Sequence, residues 1–248
     1  MIATPAMLRL PLIALVLLLV PLLTAAEKPA RLNPPYQRAQ STDPQEGWSQ
    51  ESAGKDVVIH SRTRPGSSLR EFRAIGVIEA APGAVFAVID DSESYPRFMP
   101  YTSETRVLKR EKDTVLAYQR LELPLVSDRD YTLRSRHQRW LSPDGPIYWI
   151  RWQPANDQGP PQKPGVLRVN VCEGGWLLEP HESGATRAIY TIYTDSGGAL
   201  PAVLANNGSR IAIRKVFEAI RKQVKNPKYA AATAAAPAAV EARNRSGQ

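Results

Sequence analysis

The sequence has few of the residues on which metal and cofactor chemistry depends. One cysteine, Cys172, and three histidines occur in 248 residues. A single cysteine excludes an internal disulfide and a cysteine-based metal cage. His60, His137 and His181 are far apart and lack the His-Glu spacing of a helical zinc site. We therefore expect no metal and no cofactor, and interpret each histidine as a structural or surface residue.

Common catalytic motifs are also missing. Gly174-Gly175 and Gly197-Gly198 lack the additional spaced glycines that let backbone amides hold a phosphate. No serine lies in a Gly-x-Ser-x-Gly elbow. We therefore assign no catalytic residue and expect that the chain is not an enzyme.

The long apolar run is confined to the N-terminus. It follows Arg9, spans roughly 14 residues and ends in the small residues Thr24-Ala25-Ala26. A membrane span needs about 20 apolar residues. Residues 1–26 therefore predict a cleaved signal peptide, a mature chain that begins at Glu27, and a periplasmic or secreted protein. The alternative is an uncleaved N-terminal anchor.

Composition divides the rest of the chain into three parts. Residues 27–46 are rich in Pro, Gln and Ser, which predicts a disordered linker. Residues 229–248 are rich in Ala and then polar, which predicts a disordered tail. Residues 47–228 have the length and composition of one folded domain.

The formal charge is +8. This charge allows attraction to phosphate or to an anionic membrane surface. The basic residues are spread over several segments and are not gathered with aromatic stacking platforms, so we expect no nucleic-acid partner.

Periodicity predicts mainly strands. Turn residues separate segments 57–62 and 69–80, which predicts a hairpin, and Pro82 begins a short helix. Short turn-like links then predict further antiparallel strands at residues 105–109, 114–123, 129–140, 147–152, 165–171, 176–179 and 187–194.

A long helix is predicted from Pro201 to about residue 224, with a bend at Asn206-Asn207-Gly208. Its apolar stripe should lie on the sheet and consists of Leu200, Val203, Leu204, Asn207, Ile211, Ala212 and Val216. Basic residues at the other positions allow transient contact with an anionic membrane: Arg210, Arg214, Lys215, Arg221 and Lys222.

Four short motifs occur in a characteristic order: residues 95–100 (YPRFMP), 124–131 (PLVSDRDY), 175–178 (GWLL) and 193–201 (YTDSGGALP). Together they resemble bacterial members of the START lipid-transfer family, over about residues 48–224. One departure is Phe98, where those relatives usually carry Trp.

The resemblance implies an α+β helix-grip fold, in which a curved antiparallel sheet wraps around the C-terminal helix and leaves an apolar tunnel. It also implies a lipid-binding or lipid-transport protein without catalysis, and we expect a monomer. The alternative is a helix-grip enzyme of the cyclase or hydrolase type that acts on a hydrophobic substrate. That alternative stays open because strand parity turns His137 inward.

Arg129 is the polar residue of greatest interest. The family's matching arginine is buried at the tunnel, where it can hold a ligand's hydroxyl or headgroup. Glu122 is the nearest candidate for its acidic partner. The alternative is a surface ion pair with Asp128 or Asp130.

Strand alternation predicts which side chains face the ligand, because outward arginines mark the other face of each strand. The predicted ligand-binding residues are Arg129, Tyr118, Gln119, Tyr131, Leu133, Tyr148, Ile150, Trp152, Tyr190, Ile192, Leu204 and Asn207. Parity also turns Leu167, Val169 and Val171 inward. The alternative is that these residues form a packed core without a cavity.

Overall fold

A computed structural model describes residues 39–230 except 55, 125, 196 and 199–201. The strands are β1 (Ser49–Ala53), β2 (Val57–Thr63), β3 (Arg70–Ile78), β4 (Thr102–Arg110), β5 (Thr114–Leu121), β6 (Arg129–Ser142), β7 (Gly145–Pro154), β8 (Leu167–Arg168), β9 (Val171–Pro180) and β10 (Thr186–Asp195). The helices are α1 (Pro82–Asp90), α2 (Ala202–Gln223) and α3 (Pro227–Ala230).

All ten strands form one sheet in the order β1-β2-β3-β10-β9-β7-β6-β5-β4, and β8 pairs with β6. Every pairing is antiparallel except that between β6 and β8. The last strand, β10, pairs with β3, so the first three strands continue directly into the last strand within the sheet.

Both long helices lie on one face of the sheet, which we call the inner face. Helix α1 packs against β7 and β9, and α2 packs against β2 and β3. In β3, Phe72, Ala74 and Ile78 join the inner core, as the alternation of the strand predicts. The curved antiparallel sheet with its C-terminal helix confirms the predicted fold class.

The opposite, outer face carries a second apolar cluster formed by Ile147, Trp149, Leu177 and Ile189. The chain before β1 contacts this face: Ala39 packs on the cluster, and Gln40 Nε2 donates to Glu179 Oε1 at 2.6 Å. Residues 39 and 40, which belong to the predicted disordered linker, therefore contact the sheet, and the linker as a whole stays a prediction.

Three element boundaries differ from the prediction. The sequence analysis missed β1, which is polar and lies at the edge of the sheet. The single strand predicted at 165–171 is two, and β9 begins at Val171, whose parity is opposite to that of the inward Cys172. The predicted tail begins too early, because Tyr229 in α3 is 2% exposed and its hydroxyl donates to Asp91 at 2.8 Å.

No helix within the described ranges is both long and apolar enough to cross a membrane. The predicted signal peptide, residues 1–26, lies outside the described residues, as do Leu200 and residues 231–248.

Candidate functional site

The inner face of β6, β7, β9 and β10 is aromatic and aliphatic. The predicted inward residues that belong to the inner core or pack against it are Tyr131, Leu133, Tyr148, Ile150, Trp152, Tyr190 and Ile192. Parity therefore placed these side chains correctly. Their contact with a ligand stays a prediction.

An aromatic row joins this face to α2. The ring centroids of Trp176 and Tyr190 are 4.5 Å apart, and those of Trp152 and Tyr190 are 5.9 Å apart. Trp176 also lies 5.2 Å from Phe217 of α2. Such tilted contacts add to the stability that apolar burial supplies, so the row anchors the second half of α2 on the sheet.

A few polar groups lie among these apolar side chains. The Tyr131 hydroxyl donates to Gln119 Oε1 at 3.0 Å, so Gln119 is on the inner face as predicted. Burial raises the pKa of the Tyr131 and Tyr190 hydroxyls well above their usual range, and raises that of the Cys172 thiol to about 12. All three groups are therefore neutral near pH 7.

The indole N–H of Trp152 is a further buried polar group. Within the described part of the chain it has no hydrogen-bond acceptor of ordinary geometry, although it lies close to the Cys172 thiol. A buried donor whose neighbour is a thiol, a weak acceptor, can bond to a ligand oxygen instead.

Arg129 is buried, with 3% of its surface exposed. It has the same strand parity as Tyr131 and donates to the Ser127 carbonyl oxygen. Gly198 lies beside it, since a Cβ there would be 3.9 Å from Arg129 Nη2. The structure therefore places this arginine at the N-terminal end of β6, on the inner face and next to Gly198, which precedes α2.

The two aspartates beside Arg129 bind other arginines. Asp128 accepts from Arg120 Nε at 2.8 Å, and Asp130 accepts from Arg168 Nε at 2.6 Å. The alternative of an exposed surface ion pair is thus wrong for Arg129. Glu122 as its partner stays a prediction.

Tyr118 does not line the inner face. It stands opposite Thr132, on the outer side, and its hydroxyl donates to Asp130 Oδ2 at 3.2 Å. Both Tyr118 and Asp130 are 0% exposed. Burial and the neighbouring Asp130 carboxylate raise the pKa of Tyr118 to about 12. The choice of Tyr118 as a ligand contact was wrong because adjacent strand residues point to opposite faces.

The sequence analysis also missed the buried cluster to which Tyr118 belongs. Arg168 donates from Nη2 both to Asp130 Oδ2 at 3.2 Å and to the Pro160 carbonyl oxygen at 3.1 Å. These bonds tie β5 and β6 to the connection between β7 and β9. The sequence shows acidic and basic residues around β6, but it does not show which aspartate binds which arginine.

The apolar stripe predicted for α2 does not face the sheet in the first half of the helix. Val203, Leu204 and Ile211 are 70%, 56% and 55% exposed, and Asn207 is also exposed. Among the described residues of the stripe, Val216 alone packs against the inner core. The buried positions are Ile213, Phe217 and Ile220, which share one face of a helix.

Polar partners on the sheet explain this rotation. Asn206 Oδ1 accepts from the Arg70 backbone N–H at 3.2 Å. Arg210 binds Glu51 at 3.0 Å, and Arg214 Nη2 donates to Ser52 Oγ at 2.6 Å. Both acceptors belong to β1, the strand that the sequence analysis missed.

These contacts also correct the predicted membrane-facing set. Arg210 and Arg214 face β1, and Arg221 donates to the Val77 carbonyl oxygen at 3.1 Å. Lys215 and Lys222 are exposed, with Lys215 Nζ 3.0 Å from the Tyr101 hydroxyl.

His137 faces inward, as parity predicts, but it packs against α1. Its ring is 5.5 Å from Phe86, and Nδ1 is 3.6 Å from Asp90 Oδ1. Asp90 is also bound by Arg110 at 2.8 Å. Burial lowers the pKa of His137. In the described residues, no group of three His, Cys, Asp or Glu side chains could hold a metal ion.

The sheet, its inner apolar face and the C-terminal helix define the helix-grip class of protein. Residues 78–221, more than half of the chain, match the family described as "Polyketide cyclase / dehydrase and lipid transport". The chain belongs to this family, and the resemblance to START domains is confirmed.

Similar curated proteins support this assignment. An uncharacterized protein of Pseudomonas aeruginosa is 26% identical over 163 residues, which are 65% of this chain and 79% of that protein. The mouse phosphatidylcholine transfer protein is 24% identical over 183 residues, which are 72% of this chain and 84% of that protein.

Solved structures show the same fold. A STAR-related lipid transfer protein of Xanthomonas axonopodis has a TM-score of 0.65 and 25% identity, covering 73% of this chain and 99% of that one. Human StAR-related lipid transfer protein 5 has a TM-score of 0.67 and 17% identity, covering 77% and 90% of the two chains.

Proposed function

We propose that the chain is an exported lipid-binding or lipid-transfer protein that holds a hydrophobic ligand between the inner face and α2. The observation that carries this proposal is the division of α2. Its second half is anchored by Ile213, Phe217 and Ile220, whereas its first half exposes Val203, Leu204 and Ile211. A half-anchored helix can move as a cover while the domain stays folded.

Apolar burial supplies much of the binding energy in this proposal. A chain of about 14 methylenes gains roughly 11 kcal/mol at about 0.8 kcal/mol each. Association costs about 4–15 kcal/mol, so a polar contact is needed for tight binding. Arg129, Gln119 and the Trp152 N–H are the groups suited to anchor a polar headgroup.

Loading would occur at a membrane. The exposed side chains of Val203, Leu204 and Ile211 are suited to the interfacial region of a bilayer, where apolar side chains are buried in the headgroup layer. Lys215 adds attraction to an anionic surface. Electrostatic attraction to the membrane is weaker than the five predicted basic residues would give, because Arg210, Arg214 and Arg221 bind the domain itself.

The absence of catalysis is part of the proposal, since the family description also covers cyclases and dehydrases. His137, the residue that kept the enzyme alternative open, contacts Phe86 and Asp90 of α1. This packing supports a structural role for the imidazole.

Native mass spectrometry of the full chain purified from its own host tests ligand binding. We expect a bound mass that lipid extraction identifies. Ile150→Trp, which fills the inner face, should abolish it, and Ile189→Trp, on the outer cluster, should not. Where either tryptophan variant does not fold, Ile150→Phe and Ile189→Phe replace them. Equal lipid content in folded inner-face and outer-face variants contradicts the proposed location.

Export is tested separately by the intact mass of the protein recovered outside the cytoplasm. We expect a chain that begins at or near Glu27, because small residues precede it. Retention of Met1 to Leu23 would support the uncleaved anchor instead.

A further inference from the structure

We propose that the outer face carries a second binding site, which takes a phosphate-bearing ligand on Arg134, Arg136 and Arg151. These arginines lie on β6 and β7, on the face opposite the inner core. The proposed lipid site and this site are therefore separated by the thickness of the sheet.

The register of the sheet brings the three guanidinium groups together. Arg136 and Arg151 are direct partners across β6 and β7, and Arg134 is two residues away on the same face of β6. Like charges directly opposite each other destabilise a sheet. Neither position belongs to an apolar core cluster, so the cost of placing two arginines opposite each other indicates a use for their charge.

The charge of this arginine group is only partly compensated. Asp113 lies 3.7 Å from Arg136 Nε. Arg134 donates to Gln158 Oε1 at 2.5 Å, and Arg151 donates to Gln138 Oε1 at 2.9 Å. A glutamine amide orients a guanidinium without neutralising it. Burial, and then repulsion by Arg136, lower the pKa of Arg151, in agreement with an excess of positive charge.

Neighbouring arginines on the same face differ from this group in their hydrogen-bond partners. Glu71 binds Arg62 at 2.8 Å and Arg64 at 3.3 Å, and Glu173 binds Arg64 at 2.9 Å. Those arginines have carboxylate partners and are explained by the fold. In the group on β6 and β7, Arg134 and Arg151 have glutamine amides as partners, and the carboxylate of Asp113 is 3.7 Å from Arg136.

The arginines border an open groove of about 1050 Å³. Arg151 stacks over Trp149, with its guanidinium carbon 4.1 Å from the ring centroid, which restricts its orientation. Gly175 of β9 lies beneath it, since a Cβ there would be 3.4 Å from Arg151 Cγ and 2.5 Å from the Ile150 carbonyl oxygen. Oriented guanidinium groups can each donate two hydrogen bonds to a phosphate.

The size of the groove and the charge of its lining, which has six arginines and four carboxylates, indicate its occupant. The groove is much larger than inorganic phosphate, so the phosphate group should belong to a larger molecule, either a soluble phosphate ester or a lipid headgroup. The chain segment before residue 39 is an unsuitable occupant, because residues 27–38 contain Lys28, Arg31 and Arg38 against the single acid Glu27.

The test uses the full chain and two probes, glycerol 1-phosphate in solution and phosphatidylcholine vesicles that contain phosphatidic acid. Binding is followed by the backbone amide signals of Gln153 and Gly175, and by co-sedimentation for vesicles. We expect Arg136→Gln/Arg151→Gln to weaken binding at least about tenfold, since each substitution removes charge-assisted hydrogen bonds. The control Lys109→Gln/Lys225→Gln removes the same charge from exposed positions outside the groove, and should leave the affinity unchanged.

The two probes distinguish the sources of the phosphate. Binding of glycerol 1-phosphate at these amides supports a soluble ester, and binding of vesicles alone supports a headgroup. The proposal is overturned if both double variants lose the same affinity for the probes. It is also overturned if the unmodified protein binds neither probe. Tighter binding of polyglutamate than of either phosphate probe also overturns it, in favour of an acidic protein segment. The native lipid content of Arg136→Gln/Arg151→Gln should equal that of the unmodified protein, which separates this site from the inner one.

Discussion

Tyr131 and Gln119 stand directly opposite each other on β6 and β5, and the Tyr131 hydroxyl donates to Gln119 Oε1 at 3.0 Å. This polar pair lies on a face that is otherwise aromatic and aliphatic. It gives the inner face one of its few oriented hydrogen-bonding groups, a few residues from the buried Arg129. The two predictions that follow concern these polar groups.

Gln119→Leu should lower the free energy of unfolding by about 1–3 kcal/mol, because the Tyr131 hydroxyl would lose its acceptor. Urea denaturation measures the change. The double variant Gln119→Leu/Tyr131→Phe should be closer to the unmodified protein than Gln119→Leu alone, since no polar group is then left without a partner. Additive losses in the double variant would show that the hydrogen bond contributes little.

Arg129→Ala should lower the free energy of unfolding by about 1–3 kcal/mol and should weaken ligand retention, because a buried side chain with a backbone acceptor is removed. Arg134→Ala, on the outer face, should change stability by less than about 0.5 kcal/mol and leave lipid content unchanged. Thermal melts and native mass spectrometry provide the two measurements. Equal, negligible effects would refute Arg129 as a buried anchor.

Gly208→Ala should slow lipid transfer between vesicles more than it changes equilibrium affinity. Position 208 lies in the exposed half of α2, and a Cβ there has open space around it. Alanine therefore stabilises the helix by about 1 kcal/mol without a clash and should oppose its opening. Glu218→Ala, in the anchored half, is the control. A transfer rate that is the same in both variants would place the gate elsewhere in the domain.

Acidification should destabilise the domain in part through His137. Burial lowers the pKa of this imidazole from its usual 6.5. The unfolded chain therefore takes up a proton first, so stability is complete above about pH 6.5 and falls as the pH decreases towards the folded-state pKa. Melting temperatures between about pH 7.5 and about pH 5.5 should fall less for His137→Gln than for the unmodified protein.

The exposed His181 provides the control for this effect. His181→Gln should retain the full pH dependence. Burial also lowers the pKa of His60, so His60 should account for the dependence of melting temperature on pH that remains in His137→Gln. An identical slope in the unmodified protein and in His137→Gln would contradict the role of His137.

Local periodicity was enough to predict much of the inner face. The inward residues Tyr148, Ile150 and Trp152 alternate with the outward Trp149 and Arg151, and the arginine indicates the direction of its neighbours. The family motifs supplied the topology, because order and spacing are properties of the chain itself. The sequence therefore determined the fold class, the strand faces and the inward position of Arg129.

Tertiary structure decided the features that depend on a distant partner. The exposed side of α2 could not be predicted, because the Arg210 and Arg214 contacts involve Glu51 and Ser52 of a polar edge strand. Tyr118 binds the outward Asp130, and Arg136 stands opposite Arg151, only through the pairing of neighbouring strands. The physical reason is that side-chain direction follows from a residue's own dihedral angles, whereas hydrogen bonds and charge compensation depend on which remote segments the fold brings within a few ångströms.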